Sequence, residues 1–354
     1  MNNKVKKVIS VIFILSCFWT VLSAATKKLK KSSINNDAVA EKNADFFQIV
    51  CTSFPQYDWV MNIFGDEKNA AKKFEVSLLQ DNGTDMHSYQ PSVKDIAKIS
   101  TCSLFIYVGG ESDLWVEKIL KNAVNKKMKV INLMETLQDY VAEEEFVEGM
   151  QIDGHDEHTA EHNHDEKNHE HKDDEIEYDE HVWLSLKNAA YYIEEICKNI
   201  CLLDSENSDV YKRNAAYYQK KILALDNRFS VMVEKGKRKT ILFADRFPFR
   251  YFADDYGLQY FAAFDGCSAE SEASFETIAF LAKKIDEFSL PCILVLENSD
   301  GKIAKTVISS TKDKNQQILQ LDSLQSITKS EIQRGKNYLN VMEKNFEVLQ
   351  KALN

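Results

Sequence analysis

The sequence predicts an α/β protein of two lobes, each a mostly parallel sheet flanked by helices, joined by one long rigid helix. Three observations carry that expectation. Short β-rich runs alternate with helix-patterned segments from Phe46 to Leu133. The stretch Ser205–Lys235 contains neither Gly nor Pro, and its apolar residues Tyr211, Tyr218, Ile222, Leu225, Phe229 and Met232 recur at helical steps of 7, 4, 3, 4 and 3. The alternation then restarts at Thr240 and continues towards the end of the chain. A helix of about 30 residues would run roughly 45 Å, the span of a domain.

Residues 1–25 read as an export signal. Lys4, Lys6 and Lys7 precede the apolar run Val8–Leu22, and Ser23-Ala24-Ala25 offers small residues for cleavage. The run is short for a membrane span. Leu15-Ser16-Cys17 offers a lipidated Cys17 as the alternative, although apolar residues continue beyond it. Residues 26–45, rich in Lys, Ser and Asn, read as a tether. In the N-terminal lobe, 46–204, strands are expected at Phe46–Cys51, Phe74–Leu79, Leu104–Val108 and Val130–Leu133. Helices are expected at Tyr57–Phe64, Val93–Ile99, Leu114–Asn125 and His181–Leu202. The linking helix occupies 205–237. The C-terminal lobe, 238–354, should hold strands Thr240–Ala244, Tyr260–Ala263, Cys292–Leu296 and Ile318–Leu321. Its helices should lie near Phe249–Tyr256, Ser274–Glu287 and Ile303–Ser309, with one closing helix Lys329–Leu353. Strand–helix alternation of this kind buries both faces of a parallel sheet and collects ligands at the carboxyl ends of the strands.

The 354 residues carry a net charge of −11, which loss of the three signal lysines would take to −14. An acidic exported chain is a poor nucleic-acid binder and a fair collector of cations. Apart from Cys17, the cysteines at 51, 102, 197, 201, 267 and 292 follow no zinc-ribbon spacing. Cys197 and Cys201, four apart on a helix, favour shared burial over a disulfide. None of the cysteines receives a role from the sequence.

Within the acidic loop 143–180, His155, His158, His162, His164, His169 and His171 place six of the eight histidines in 17 residues. Most of the remainder is Asp and Glu, so the run builds no packed core. Imidazole is a common donor for late divalent metals, and the carboxylates add charge attraction. The competing reading is a low-complexity acidic insert. His181 differs, because it stands at the edge of an apolar segment.

Three further stretches end strands with ligand-type side chains. Asp85-Met86-His87-Ser88-Tyr89-Gln90-Pro91 follows the second strand, and its histidine is one of two outside the loop. Asp245 stands at a strand end, with a local ion pair to Arg246 as the alternative. Asp322 ends the last strand, with helix capping as the alternative. Glu297 is placed similarly and carries less.

These stretches, in this order, resemble the metal-binding solute receptors of bacterial ABC transporters for zinc and manganese. The resemblance covers about Phe46 to Leu353 and rests most on Asp85–Pro91, Glu180-His181-Val182-Trp183-Leu184 and Tyr256-Gly257-Leu258. The acidic histidine-rich insert is similar to that of the zinc-specific members. The resemblance implies two α/β lobes bridged by one rigid helix, a single metal in the cleft, a monomer, and a membrane permease as partner. It implies His87 and His181 as N-lobe ligands and Asp322 as a carboxylate ligand. The spacing to Tyr-Gly-Leu at which the family shows His or Glu falls here on Arg246, which cannot bind a cation. One inserted residue puts Asp245 in that place.

The expected cargo is zinc, with manganese (or iron) as the alternative. Two imidazoles and two carboxylates are oxygen-rich and lean towards manganese, whereas the histidine tract favours zinc. A zinc hydrolase would need an open coordination position and a general base. No His-Glu-x-x-His occurs, and four protein ligands would close the site. A surface adhesin or metal buffer using only the loop would leave His87 and Asp322 dispensable.

Overall fold

A computed structural model describes residues 46–65, 72–151, 177–268 and 272–354. The expected signal, the tether and the six loop histidines lie outside the described residues. The first lobe runs β1 (Phe47–Cys51), α1 (Phe54–Phe64), β2 (Phe74–Leu78), α2 (Val93–Thr101), β3 (Leu104–Tyr107), α3 (Trp115–Lys121), β4 (Lys129–Asn132) and α4 (Leu133–Leu137). All its strand pairs are parallel, in the order β2-β1-β3-β4. Helices on both faces explain the unbroken apolar runs Ile49-Val50-Cys51 and Leu104-Phe105-Ile106, all buried.

After α5 (Leu186–Leu203) and α6 (Ser208–Lys235) the pattern repeats. The second lobe runs β5 (Thr240–Arg246), α7 (Arg250–Tyr256), β6 (Gln259–Phe264), α8 (Phe275–Phe288), β7 (Cys292–Leu296), α9 (Lys302–Ser310) and β8 (Gln317–Leu321). Its sheet is parallel in the order β6-β5-β7-β8. Gly257 ends α7 in the left-handed conformation, φ 63° and ψ 40°, which accounts physically for the glycine of Tyr-Gly-Leu.

Two expectations are corrected at element ends. The closing segment is two helices, α10 (Lys329–Gln333) and α11 (Tyr338–Leu353), because Gly335 turns at φ 91° and Asn337 starts a new helix with its own capping box. His181 stands before α5 rather than inside it. A short 3₁₀ turn, Val182–Leu184, follows it, and Ser185 caps α5 by accepting from Asn188 N.

Helix α6 has 28 residues, about 42 Å at 1.5 Å per residue. Its buried stripe is Tyr211, Ala215, Tyr218, Ile222, Leu225, Phe229, Met232 and Val233, the periodicity read from the sequence. The first half serves one lobe: Asn214 donates to the carbonyls of Ile63 and Phe64, and Tyr218 donates to Asp58 at 2.8 Å. The second half serves the other: Phe229 packs on Phe252 and Tyr256, and Tyr256 donates to Asp226 at 2.8 Å. One continuous apolar cluster therefore runs through both lobes.

Burial pushes the Asp58 carboxyl up to about 6, against the pull of the Tyr218 hydrogen bond. A carboxyl raised in the native state binds its proton more tightly there than in the unfolded chain, so its stability contribution falls as pH rises from about 4 to 6. Above that range Asp58 is a buried anion that needs Tyr218. Tyr218→Phe should therefore cost about 2 kcal/mol at pH 8 and less at pH 5, measured by urea denaturation. An equal loss at both pH values would mean that Asp58 does not change its charge between them.

Candidate metal centre

The two histidines outside the loop meet between the lobes. His87 lies on the one-turn segment Met86–Ser88 that follows β2, where Asp85 caps the turn by accepting from His87 N at 3.1 Å. His181 is fully buried, and its backbone N–H donates to Asp179 at 2.7 Å. The two Nε2 atoms stand 3.3 Å apart.

Each ring is held from behind. His181 Nδ1 lies 3.0 Å from Asp179 Oδ1, the same oxygen that accepts the His181 backbone N–H. His87 Nδ1 lies 2.8 Å from Ser112 Oγ and 3.6 Å from Glu180 Oε2. With His181 Nδ1 donating to Asp179, the His181 Nε2 lone pair faces the cleft, and His87 Nε2 faces the same point. Burial, reinforced by the neighbouring histidine for His87 and by Arg246 for His181, pushes both imidazoles down to about 3. Both rings are therefore neutral near pH 7, the form that binds metal.

A third donor joins them from the second lobe. The ligand atoms of His87, His181 and Cys267 all lie within 4.8 Å of one another. Cys267 follows β6, and the loop presses on the buried imidazole: a Cβ at Gly266 would stand 3.1 Å from His181 Cε1 and 3.0 Å from the Phe247 carbonyl. Gly266 N donates to Glu144 at 3.0 Å, and Cys267 Sγ donates to the same carboxylate at 3.7 Å. Burial and then Asp179 push Glu144 up to about 8, while burial chiefly pushes Glu180 up to about 7. His87 and Cys267 share a cavity of about 280 Å³ with Glu111, Glu144, Glu177 and Glu180. The stems of the histidine-rich loop close beside it, Glu144 N donating to the Glu177 carbonyl and Asp179 N to the Ala142 carbonyl.

The two aspartates singled out by the sequence stand outside the group of three. Asp245 accepts from Arg246 N at 2.9 Å and from Leu296 N at 3.3 Å. Asp322 accepts from Leu324 N at 2.9 Å and pairs with Lys336 at 2.7 Å, and Lys336 is held in turn by Glu331. Glu297 accepts from the backbone and hydroxyl of Ser323. Arg246 reaches the cleft itself, because the register of β5 slips between Phe243 and Arg246 and re-aims the strand end. Its Nη2 meets Asp85 at 2.6 Å, and its Nη1 donates to the Ser268 carbonyl at 3.4 Å. Burial draws Asp85 upward, but the Arg246 charge and hydrogen bond outweigh it and hold the carboxyl below its ordinary value. The sequence reading missed Cys267; its one available signal was a polar Asp-Gly-Cys-Ser turn directly after a strand.

The model of a family described as the periplasmic component A of a zinc-uptake complex, ZnuA, matches residues 49–352. The zinc-binding protein AdcA of Streptococcus pyogenes serotype M3 is 29% identical over 304 residues, covering 85% of this chain and 55% of that protein. This chain thus spans about half the length of the AdcA relatives it matches. The high-affinity zinc uptake system protein ZnuA of Bacillus subtilis is 28% identical over 348 residues, 98% of each chain. Among solved structures, the Zn(II)-bound ZnuA-like domain of Streptococcus pneumoniae AdcA is 26% identical with a TM-score of 0.64, covering 87% of this chain and 99% of that one.

Proposed function

We propose that this chain, which belongs to the family of periplasmic zinc-uptake components, captures zinc in its interlobe cleft and hands it to an ABC permease. The ion is cargo, and His87 and His181 are its N-lobe ligands. The observation that carries the reading is the pair of Nε2 atoms 3.3 Å apart, each ring tied at Nδ1. Two nitrogens bound to tetrahedral zinc at about 2.05 Å each stand roughly 3.3–3.4 Å apart. Two ring nitrogens at that separation share either a proton or a cation, and a divalent ion takes the place of the proton.

The protein acts outside the cytoplasm, with residues 1–25 as export signal and 26–45 as tether, or with Cys17 as a lipid anchor. The division into lobes 46–204 and 238–354 around a link at 205–237 places the ion where the lobes meet. With α6 rooted in both lobes, capture closes the cleft by a small tilt rather than a wide hinge swing. The histidines 155–171 act as accessory, weaker sites that gather metal for the cleft, because a tract of that composition builds no packed core and loses ordering entropy on binding. Zinc is preferred to manganese because the convergent donors are imidazoles, which manganese binds weakly.

Native mass spectrometry of the exported protein, and of a variant lacking residues 154–172, tests the reading. Both should retain one tightly held zinc, and only the full chain should take up further, weaker equivalents. A deletion variant without any tight ion would make the loop the primary site. Zinc-dependent turnover of ester, peptide or phosphate substrates would replace the receptor by a hydrolase, since three convergent donors leave a coordination position open.

A further inference from the structure

We infer that Cys267 is the C-lobe ligand, a thiolate that completes a His₂Cys metal site and selects borderline-soft divalent ions over manganese. The inference rests on the receptor reading and names the donor that the cleft uses in place of the two carboxylates expected from the resemblance.

Geometry counts against each second-lobe donor that the resemblance offered. Arg246 stands in the place where a His or Glu is expected, and a guanidinium offers no lone pair. Asp245 spends its oxygens on two backbone N–H groups of its own sheet. Asp322 is neutralised by Lys336, so recruiting it would break an ion pair at 2.7 Å and leave an ammonium beside the incoming cation. Cys267 needs no such exchange, because its Sγ already lies within 4.8 Å of both imidazole nitrogens. In a tetrahedral complex with Zn–S near 2.3 Å and Zn–N near 2.05 Å, sulfur and nitrogen stand about 3.6 Å apart. A movement of about an ångström completes the site.

The same arginine sets the distance between the two ligand loops. Its Nη2 grips Asp85, two residues before His87, and its Nη1 grips the carbonyl of Ser268, one residue after Cys267. Arg246 is thus a positioning residue that holds N-lobe and C-lobe donors face to face. Gly266 lets the loop lie flat on His181, where a Cβ would press on the ring and on the Phe247 carbonyl at 3.0–3.2 Å. Coordination forms one metal–sulfur bond and breaks one S–H bond, so each ion bound through Cys267 releases one proton to solvent. A bound divalent ion drives that deprotonation itself. Thiolate sulfur favours zinc, cobalt and cadmium and discriminates against manganese.

Cobalt(II), added at one equivalent to the full exported chain, is the probe. The wild type should show sulfur-to-cobalt charge-transfer absorption in the near ultraviolet, to which the histidine-rich loop, lacking cysteine, is blind. Cys267→Ser should lose that band, bind zinc in the cleft at least tenfold more weakly and still hold one ion there. Cys267→Asp should narrow the preference for zinc over manganese, and Asp322→Asn should keep the band. A wild-type cobalt complex that depends on His181 but lacks the sulfur band overturns this inference and leaves the receptor reading standing. Retention of the band in Cys267→Ser overturns it too, by assigning the sulfur elsewhere. Absence of any His181-dependent metal binding overturns both.

Discussion

His181→Ala is expected to abolish the tight zinc site, weakening binding about a thousandfold, which is roughly 4 kcal/mol. The side chain is fully buried, is oriented by Asp179 at 3.0 Å and contributes one of the two neutral imidazoles that, among the described residues, converge in the cleft. Its loss removes a metal–nitrogen bond and opens a void beside Trp183, whose ring centroid is 5.3 Å away. A fold control is therefore needed, and His87→Ala supplies it, because the His87 side chain is 15% exposed and lies on a surface turn. Both variants should also lose the thermal stabilisation that zinc confers on the wild type, about 4 kcal/mol at a thousand times the dissociation constant. The measurement is a competitive zinc titration followed by a melting curve with and without metal. One full-strength site in either variant would remove these histidines from the cleft.

Gly110→Ala should damage both the fold and the site. Gly110 adopts φ 75° and ψ −165°, a conformation essentially reserved for glycine, and a Cβ there would land on the Glu180 carboxylate. Strain and collision together should cost about 2–4 kcal/mol of stability. Glu180 would lose the Ser112 N–H at 2.9 Å and its place beside His87 Nδ1, so zinc affinity should fall a further 10–100-fold. Gly257→Ala is the matched comparison: its φ is 63°, but nothing lies within 4 Å of a new Cβ. That change should cost only about 1–2 kcal/mol and leave zinc affinity alone. Urea midpoints and zinc dissociation constants measured on both variants decide the matter. Equal behaviour would mean that the Glu180 contact is of no consequence to the site.

Periodicity is local, and what depends on it was legible. The buried stripe of α6 appeared in the sequence as steps of three, four and seven, since a helix repeats its face every 3.6 residues. Parallel strands covered on both faces appeared as unbroken apolar runs. His87 and His181 were visible through rarity and through their stations at loop–helix junctions. Element ends were less legible, because the break at Gly335–Asn337 depends on one left-handed turn and one cap rather than on pattern.

The sequence by itself determined the two α/β lobes, the long helix between them and the two histidines, because each follows from hydrophobic pattern or composition within a short stretch. Only the tertiary structure decided which residues of the second lobe face those histidines. Asp245 and Asp322 have the right chemistry and stand at strand ends, but which way a carboxylate turns is settled by its nearest charges and N–H groups, here Leu296 N and Lys336. Beyond its place in a polar turn after a strand, nothing in the sequence links Cys267 to the histidines, because it lies 86 positions from His181 and 180 from His87. The folded chain brings these three together through the packing of the β6 loop, the grip of Arg246 on Asp85 and Ser268, and the absence of a side chain at Gly266. Each of these is a contact between residues far apart in the chain, and no periodicity encodes it.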